Sequence, residues 1–440
     1  MKKSFAFSKE SKKALFGSLI GSSIEWYDFF LYGTVASLVF NKLFFPSLDP
    51  LTGMLLTYAS FGIPFFFRPI GGIIFSHIGD KIGRKKTLVL TLSLMGIATV
   101  LIGLLPDYNT IGIWAPILLI LLRIIQGIGL GGEWGGALLL AVEYAPKEHR
   151  GFFGSIPQAG SPVGMLLGTI AISLFNFLPE QQFLAWGWRI PFLLSIVLVA
   201  VGLWIRKGIE ETPDFKKAQE EGDTPKFPLL DILKNHRKTT LISIGVKLVE
   251  SAPFFIFTTF IISYATDVLN FSRQIVLNTV TIATFATIIT IPLYGMLSDK
   301  IGRKKMYVLH TVAIMLYVVP YFYMLSLQST FWLMFATIFG LSIVWSATTA
   351  VIGTLYSEIF STNVRYTGIT VGYQIGAALG GGLAPLIATY LLSKFNNSWV
   401  PVAAYMIAVC IISLFSIKYI RTQDEEIVAA PIAEETYIQK

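Results

Sequence analysis

Twelve apolar runs of about 20 residues or more, separated by short polar breaks, dominate this chain and leave it few folds. They centre near residues 14–42, 51–76, 87–105, 111–143, 151–178, 188–206, 239–266, 274–297, 306–325, 330–357, 367–392 and 399–420. Each is long enough to cross a hydrocarbon core of roughly 30 Å as a helix. A closed barrel also satisfies its backbone in lipid, but its strands would alternate apolar and polar residues over about ten positions. These runs do not alternate, so the expectation is an all-α polytopic membrane protein of twelve transmembrane helices. Only 14% of the residues are charged, against about one quarter in soluble domains. The first run follows KKSFAFSKESKK, a charged start like a signal peptide's. It is too long and lacks a small-x-small cleavage site, so it reads as a retained helix.

Lys and Arg in the connections set the orientation. Lys2, Lys3, Lys9, Lys12 and Lys13 precede the first run, Lys81 to Lys86 follow the second, and Lys300 to Lys305 follow the eighth. Odd-numbered connections hold few positives, among them Arg273 and Lys394. Both termini and the 207–238 connection are therefore expected to be cytoplasmic, with the protein in the plasma membrane. The net charge of +8 is then a topology signal that touches anionic lipid, and the bilayer, not nucleic acid, is the implied partner. A single cysteine, Cys410, and four scattered histidines offer no disulfide framework and no metal spacing.

The chain also repeats itself. HIGDKIGRKK at 77–86 recurs as MLSDKIGRKK at 296–305, and Glu143 and Arg150 are echoed by Glu358 and Arg365. Two six-helix halves follow, 1–206 and 239–420, joined by a charged connection at 207–238 and trailed by a cytoplasmic tail at 421–440.

The DKIGRKK loops, the RIIQGIG of the fourth run and this two-times-six plan resemble the major facilitator superfamily. EWYDFFLYG, FFFRPIGG, GGEWGGA and WGWRIPFL look like its metabolite:proton symporter branch, which carries organic acids such as shikimate and, in related members, proline and betaine. The first loop departs from the family pattern, with Ser76 where the second copy keeps Gly295, so slightly looser packing is expected there. On its own residues, Asp80 begins a tight turn at Gly83, held at the inner surface by Arg84, Lys85 and Lys86. The resemblance implies more: a latch of Asp80, Gly83 and Arg84, with Asp299, Gly302 and Arg303 in the second copy and Arg150 and Arg365 nearby. In it Asp80 binds a cation or helix end of the opposite half in one state and releases it in the other.

Seven charges fall within the runs away from their ends: Glu25, Asp28, Arg68, Arg123, Glu133, Lys247 and Glu250. Each would cost on the order of 3 kcal/mol unpaired at mid-bilayer, so they must face a polar interior and pair, or be neutral part of the time. Lys247 and Glu250, spaced i,i+3, can pair on one face. For Asp28, desolvation and a gated cation would pull protonation in opposite directions, which suits proton coupling. Arg123 is the expected cation, and the resemblance supports it, because the YD of the first run and RIIQGIG are similar to the coupling acid and arginine of sugar porters. Glu25 and Glu133 are the other proton-coupling candidates.

Arg68 offers bidentate recognition of a carboxylate, or else anchors a lipid headgroup. Lys247, Glu250, Tyr32, Gln126, Trp134, Gln158, Tyr373 and Gln374 complete the candidate substrate contacts. No Gly-Lys-Ser/Thr phosphate loop is present, so no ATP is expected, and no nucleophile or metal cluster suggests an enzyme. The chain reads as a cofactor-free, proton-coupled importer of a small organic acid, acting as a monomer. Proline or betaine uptake is the alternative, and drug:proton antiport a more distant one.

Overall fold

The computed structural model describes residues 7–46, 50–175, 177–220, 228–360 and 364–420. The expected tail at 421–440, and Lys2 and Lys3, lie outside the described residues. Twelve long helical segments run through the rest, because in lipid every backbone N–H and C=O must bond within its own segment. They are α1 (Lys9–Val35), α2 (Pro50–Ile82), α3 (Arg84–Leu104), α4 (Trp114–Glu143), α5 (Arg150–Phe175) and α6 (Arg189–Lys207). Then come α7 (Arg237–Val268), α8 (Arg273–Ile301), α9 (Arg303–Ser326), α10 (Thr330–Ile359), α11 (Arg365–Lys394) and α12 (Val400–Lys418).

Eleven segments among the described residues are long and apolar enough to cross a membrane. The exception is α1, whose inward face spends its apolarity on Ser18, Ser22, Ser23, Glu25 and Asp28, all buried. It packs closely on α5, where Gly160 and Gly164 lie against Ser22 and Ser23.

The helices form two six-helix bundles. In the first, α1 packs on α5, α2 on α4, and α3 on α4 and α6; in the second, α7 packs on α11 and α12, and α8 on α10. The bundles meet where α2 lies against α11 and α5 against α8. Bare backbone lets helices approach: a Cβ on Gly127 of α4 would meet the Pro64 backbone of α2 at 2.7 Å. Between α2 and α3, Gly83 turns the chain with φ +108°, and Gly302 repeats this between α8 and α9 at +95°. Ser76 is fully buried with its hydroxyl turned back on the Ile73 carbonyl. The connection between the bundles carries two short helices, Pro213–Glu220 and Pro228–Asn235.

Helix regularity breaks near the centre. Pro69 follows Arg68, Pro253 interrupts α7, and π-turns occupy Ile256–Phe260, Gly340–Trp345 and Ala378–Gly382. Such turns cluster at functional sites because they re-aim side chains and release carbonyls.

Candidate functional site

A central cavity of ≈ 70 Å³ lies between the bundles. By the measure in which one water needs about 10–15 Å³, it holds only a handful of waters. Of the candidate substrate contacts, Arg68, Gln158, Lys247, Glu250 and Tyr373 line it. Trp26 and Trp345, aromatic candidates in the sequence, also line it, whereas the sequence did not reveal Phe65, Phe254, Phe255 and the hydroxyls of Thr284, Thr287 and Thr349.

Two buried ion pairs, one from each bundle, meet this cavity, the first through Arg68 and the second through both partners. On one side Arg68 Nη2 donates to Glu25 Oε1 at 3.1 Å, with the guanidinium 5.6 Å from both the Trp26 and Phe65 ring centres. The pair is incompletely satisfied: Glu25 Oε2 and Arg68 Nε are buried without a hydrogen-bond partner. On the other side Lys247 pairs with Glu250, on one face of α7. Here the carboxylate is well served, since Thr349 Oγ1 donates at 2.8 Å and Ser251 Oγ at 3.1 Å.

Asp28 and Arg123 are not an ion pair, contrary to the expectation. Asp28 accepts from Thr99 Oγ1 at 2.7 Å and Ser195 Oγ at 3.0 Å. Arg123 donates to Gln126 Oε1 at 2.8 Å and to the Ser60 and Phe61 carbonyls, and lies 3.7 Å over the Tyr32 ring. Gln126 Nε2 donates to Thr99 Oγ1 at 2.7 Å, closing a chain from Arg123 to Asp28. Asp28, Arg123, Tyr32 and Gln126 are thereby placed inside the first bundle and not on the cavity wall; the freed backbone of α2 supplies Arg123's acceptors instead. Glu133 is also away from the cavity, paired with Arg206 and accepting from Thr91 Oγ1 at 2.7 Å. Arg206 went unrecognised because it ends an apolar run beside Lys207 and reads as an ordinary topology cation. Its burial makes the internal charges balance: Arg68, Arg123, Arg206 and Lys247 against Glu25, Asp28, Glu133 and Glu250.

Below the cavity the bundles are closed. Trp134 stacks on Tyr373 with centroids 3.4 Å apart, and Lys247 Nζ lies 3.5 Å over the other aspect of this stack, at Tyr373. Trp134 Nε1 donates to Gln158 Oε1, whose amide donates to the Thr349 carbonyl across the interface. Gln374 Nε2 donates to the Gly131 carbonyl at 2.9 Å. Trp134 and Gln374 thus seal the floor and do not line the cavity.

Beyond this floor lie the two DKIGRKK loops. Asp80 Oδ2 accepts from Thr367 N at 3.0 Å and Thr367 Oγ1 at 2.7 Å, at the start of α11 in the opposite bundle. Asp299 accepts from Gly151 N at 2.7 Å and Phe152 N at 2.9 Å, at the start of α5. Each carboxylate therefore sits at the positive end of a helix of the other half. Arg84 lies 3.6 Å from Asp80 and 3.9 Å from Glu143, which also pairs with Arg365 at 3.2 Å. Arg303 pairs with Asp299 at 2.8 Å and Glu358 at 3.4 Å. Arg84 is buried in this network and not spread at a lipid surface. Arg150 begins α5, and its Nε lacks a hydrogen-bond partner.

The profile described as Sugar (and other) transporter matches residues 14–226, and that of the Major Facilitator Superfamily matches 248–436. The chain is 43% identical to the shikimate transporter of Escherichia coli (strain K12), over 92% of this chain and 93% of that protein. It is 41% identical to the inner membrane metabolite transport protein YhjE of the same organism, with 87% and 88% covered. The proline/betaine transporter of that strain is 34% identical, with 92% and 82% covered. Among solved structures it is similar in fold to the proton:xylose symporter XylE bound to 6-bromo-6-deoxy-D-glucose. That likeness has a TM-score of 0.75 at 17% identity, over 95% of this chain and 97% of that one.

Proposed function

Because this chain belongs to the major facilitator superfamily, as a metabolite transporter and not an enzyme, we propose that it imports a small hydroxylated organic acid with a proton by alternating access. The observation that carries this reading is the half-satisfied Arg68–Glu25 pair, whose arginine lines the cavity. The internal charges already balance, so a lone anion entering would be left uncompensated in a low-dielectric space. A substrate carboxylate takes Arg68 in a bidentate grip. Glu25, losing its cation, takes up a proton, and the loaded site stays neutral. Lys247 keeps Glu250, which Thr349 and Ser251 also hold, and steers the anion inward.

The threonines and Gln158 offer partners to ring hydroxyls between aromatic walls, so a cyclic hydroxy acid ranks first. Shikimate, named for the 43% relative, has that chemistry. The second reading is a zwitterion such as betaine, for which Trp26 and Phe65 beside Glu25 would receive a quaternary ammonium.

Both termini, the latch loops and the 207–238 connection face the cytoplasm, and the halves 1–206 and 239–420 rock about the cavity. A single chain builds the whole site, so the monomer is the working unit. The bilayer is its surroundings, and neither ATP nor nucleic acid is involved.

Proteoliposomes with an inside-alkaline pH gradient test this. Uphill uptake from a panel of carboxylates is expected, collapsing with a protonophore. Arg68→Gln should raise KM for the acid at least about tenfold, equal to about 1.4 kcal/mol, and leave a neutral analogue unaffected. Proton-driven efflux instead of uptake would make the protein an antiporter.

A further inference from the structure

A second groove lies outside the transport path, where the start of α1 meets the end of α6. It has a volume of ≈ 600 Å³ and is walled by Phe16, Trp204 and Ile205 beneath a rim of lysines 9, 12, 13 and 207. Phe16 is 57% and Trp204 77% exposed, as residues facing acyl chains would be. The two helix ends are tied together, since Lys13 Nζ donates to the Gly208 carbonyl at 3.3 Å. Among the described residues, no acid lines the groove. Of the nearby carboxylates, Glu210 is engaged by Lys216 at 2.6 Å, and Glu10 is not among the lining residues.

We infer that this groove is a binding site for an anionic phospholipid, with the headgroup phosphate under Lys9, Lys12 and Lys207 and an acyl chain against Phe16 and Trp204. The charge complementarity is specific to an anionic amphiphile. A soluble anion would leave the aromatic floor uncovered, and a zwitterionic lipid would bring a cation into the lysine rim. The level of the groove fits, because the same end of the bundle carries the basic latch loops that mark a membrane interface. Near such a surface each lysine adds severalfold to the affinity for anionic lipid.

The full chain, reconstituted in phosphatidylcholine vesicles doped with brominated phosphatidylglycerol or brominated phosphatidylcholine, tests this through tryptophan quenching. The difference between wild type and Trp204→Phe isolates the signal of Trp204. Quenching of that share by the anionic lipid is expected at a mole fraction on the order of tenfold lower than by the zwitterionic one. In Lys9→Gln/Lys12→Gln/Lys207→Gln, paired with the same Trp204→Phe control, the preference should fall to parity while bulk quenching persists. These lysines are exposed, so the variant should fold, and circular dichroism melting checks it. Equal quenching by both lipids in the wild type overturns the inference. So does a preference that survives the triple variant, or one abolished by millimolar inorganic phosphate, which would mark a soluble-anion site.

Discussion

Glu25 and Asp28 stand less than one helical turn apart on α1, yet their surroundings divide the labour between them. Asp28 is held by two neutral hydroxyls inside the first bundle, whereas Glu25 holds a cation on the cavity wall by a single bond. Glu25→Gln should therefore keep substrate exchange but lose uphill accumulation. Its substrate affinity should also lose pH dependence. On the proposed coupling, wild-type binding takes up a proton, so affinity should fall as pH rises, by up to about tenfold per unit. Asp28→Asn should retain that dependence while slowing transport. Binding titrations at several pH values, alongside counterflow, separate the two, and pH-independent affinity in Asp28→Asn alone would return the proton to Asp28. The Glu133–Arg206 pair has a structural prediction. Glu133→Gln leaves a buried guanidinium uncompensated and should cost about 3–5 kcal/mol, read as a lowered melting temperature. Glu133→Leu with Arg206→Leu should recover most of it.

Between helices, the latches have matching geometry in the two halves. Neutralising Asp80 or Asp299 weakens a carboxylate at a helix N-terminus, a contact worth up to about 2 kcal/mol when partly buried. Asp80→Asn and Asp299→Asn should change turnover and the inward/outward balance more than intrinsic affinity, as cysteine accessibility from each side would show. Gly151→Leu should act in the same direction by steric means, since a Cβ there would meet Asp299 Oδ1 and the Gly295 carbonyl at 2.7 Å. At this scale the sequence was most readable. Apolar runs marked the helices because lipid demands them, and the repeated DKIGRKK marked both tight turns because a positive-φ glycine is a fixed chemical need, while their proposed part as latches came from the family resemblance. The site was less readable. Phe65, Phe254 and Phe255 are apolar residues in apolar runs, so nothing in their pattern tells cavity from lipid. The π-turns that re-aim α7, α10 and α11 shift which face points inward and leave no compositional trace. Charge spacing found the Lys247–Glu250 pair because i,i+3 is local, but it missed Arg206 and the Gln126–Thr99 link, which only tertiary packing creates.

In the molecule as a whole, a cavity with room for a handful of waters sits above a closed floor and two engaged latches. The bundles are therefore joined on the side of the DKIGRKK loops, and release of those contacts is what a path to that side requires. Cys410 is buried and is the chain's single cysteine, so introduced cysteines report opening with little background. A cysteine at Ser161 on the cavity wall should be protected by a transported acid and exposed in its absence, with labelling rates as the measurement. The two latches are alike in form but not in dryness. The Asp80 and Arg84 side chains are 0% and 1% exposed, those of Asp299 and Arg303 6% and 19%. Water can compete for the second contact before it reaches the first, so the halves would be expected to part in order, peeling from the α5–α8 seam toward α2–α11. Such a molecule would pass through a lopsided, half-released intermediate whose lifetime depends on the drier carboxylate, and the inward step would have a direction across the membrane plane as well as through it.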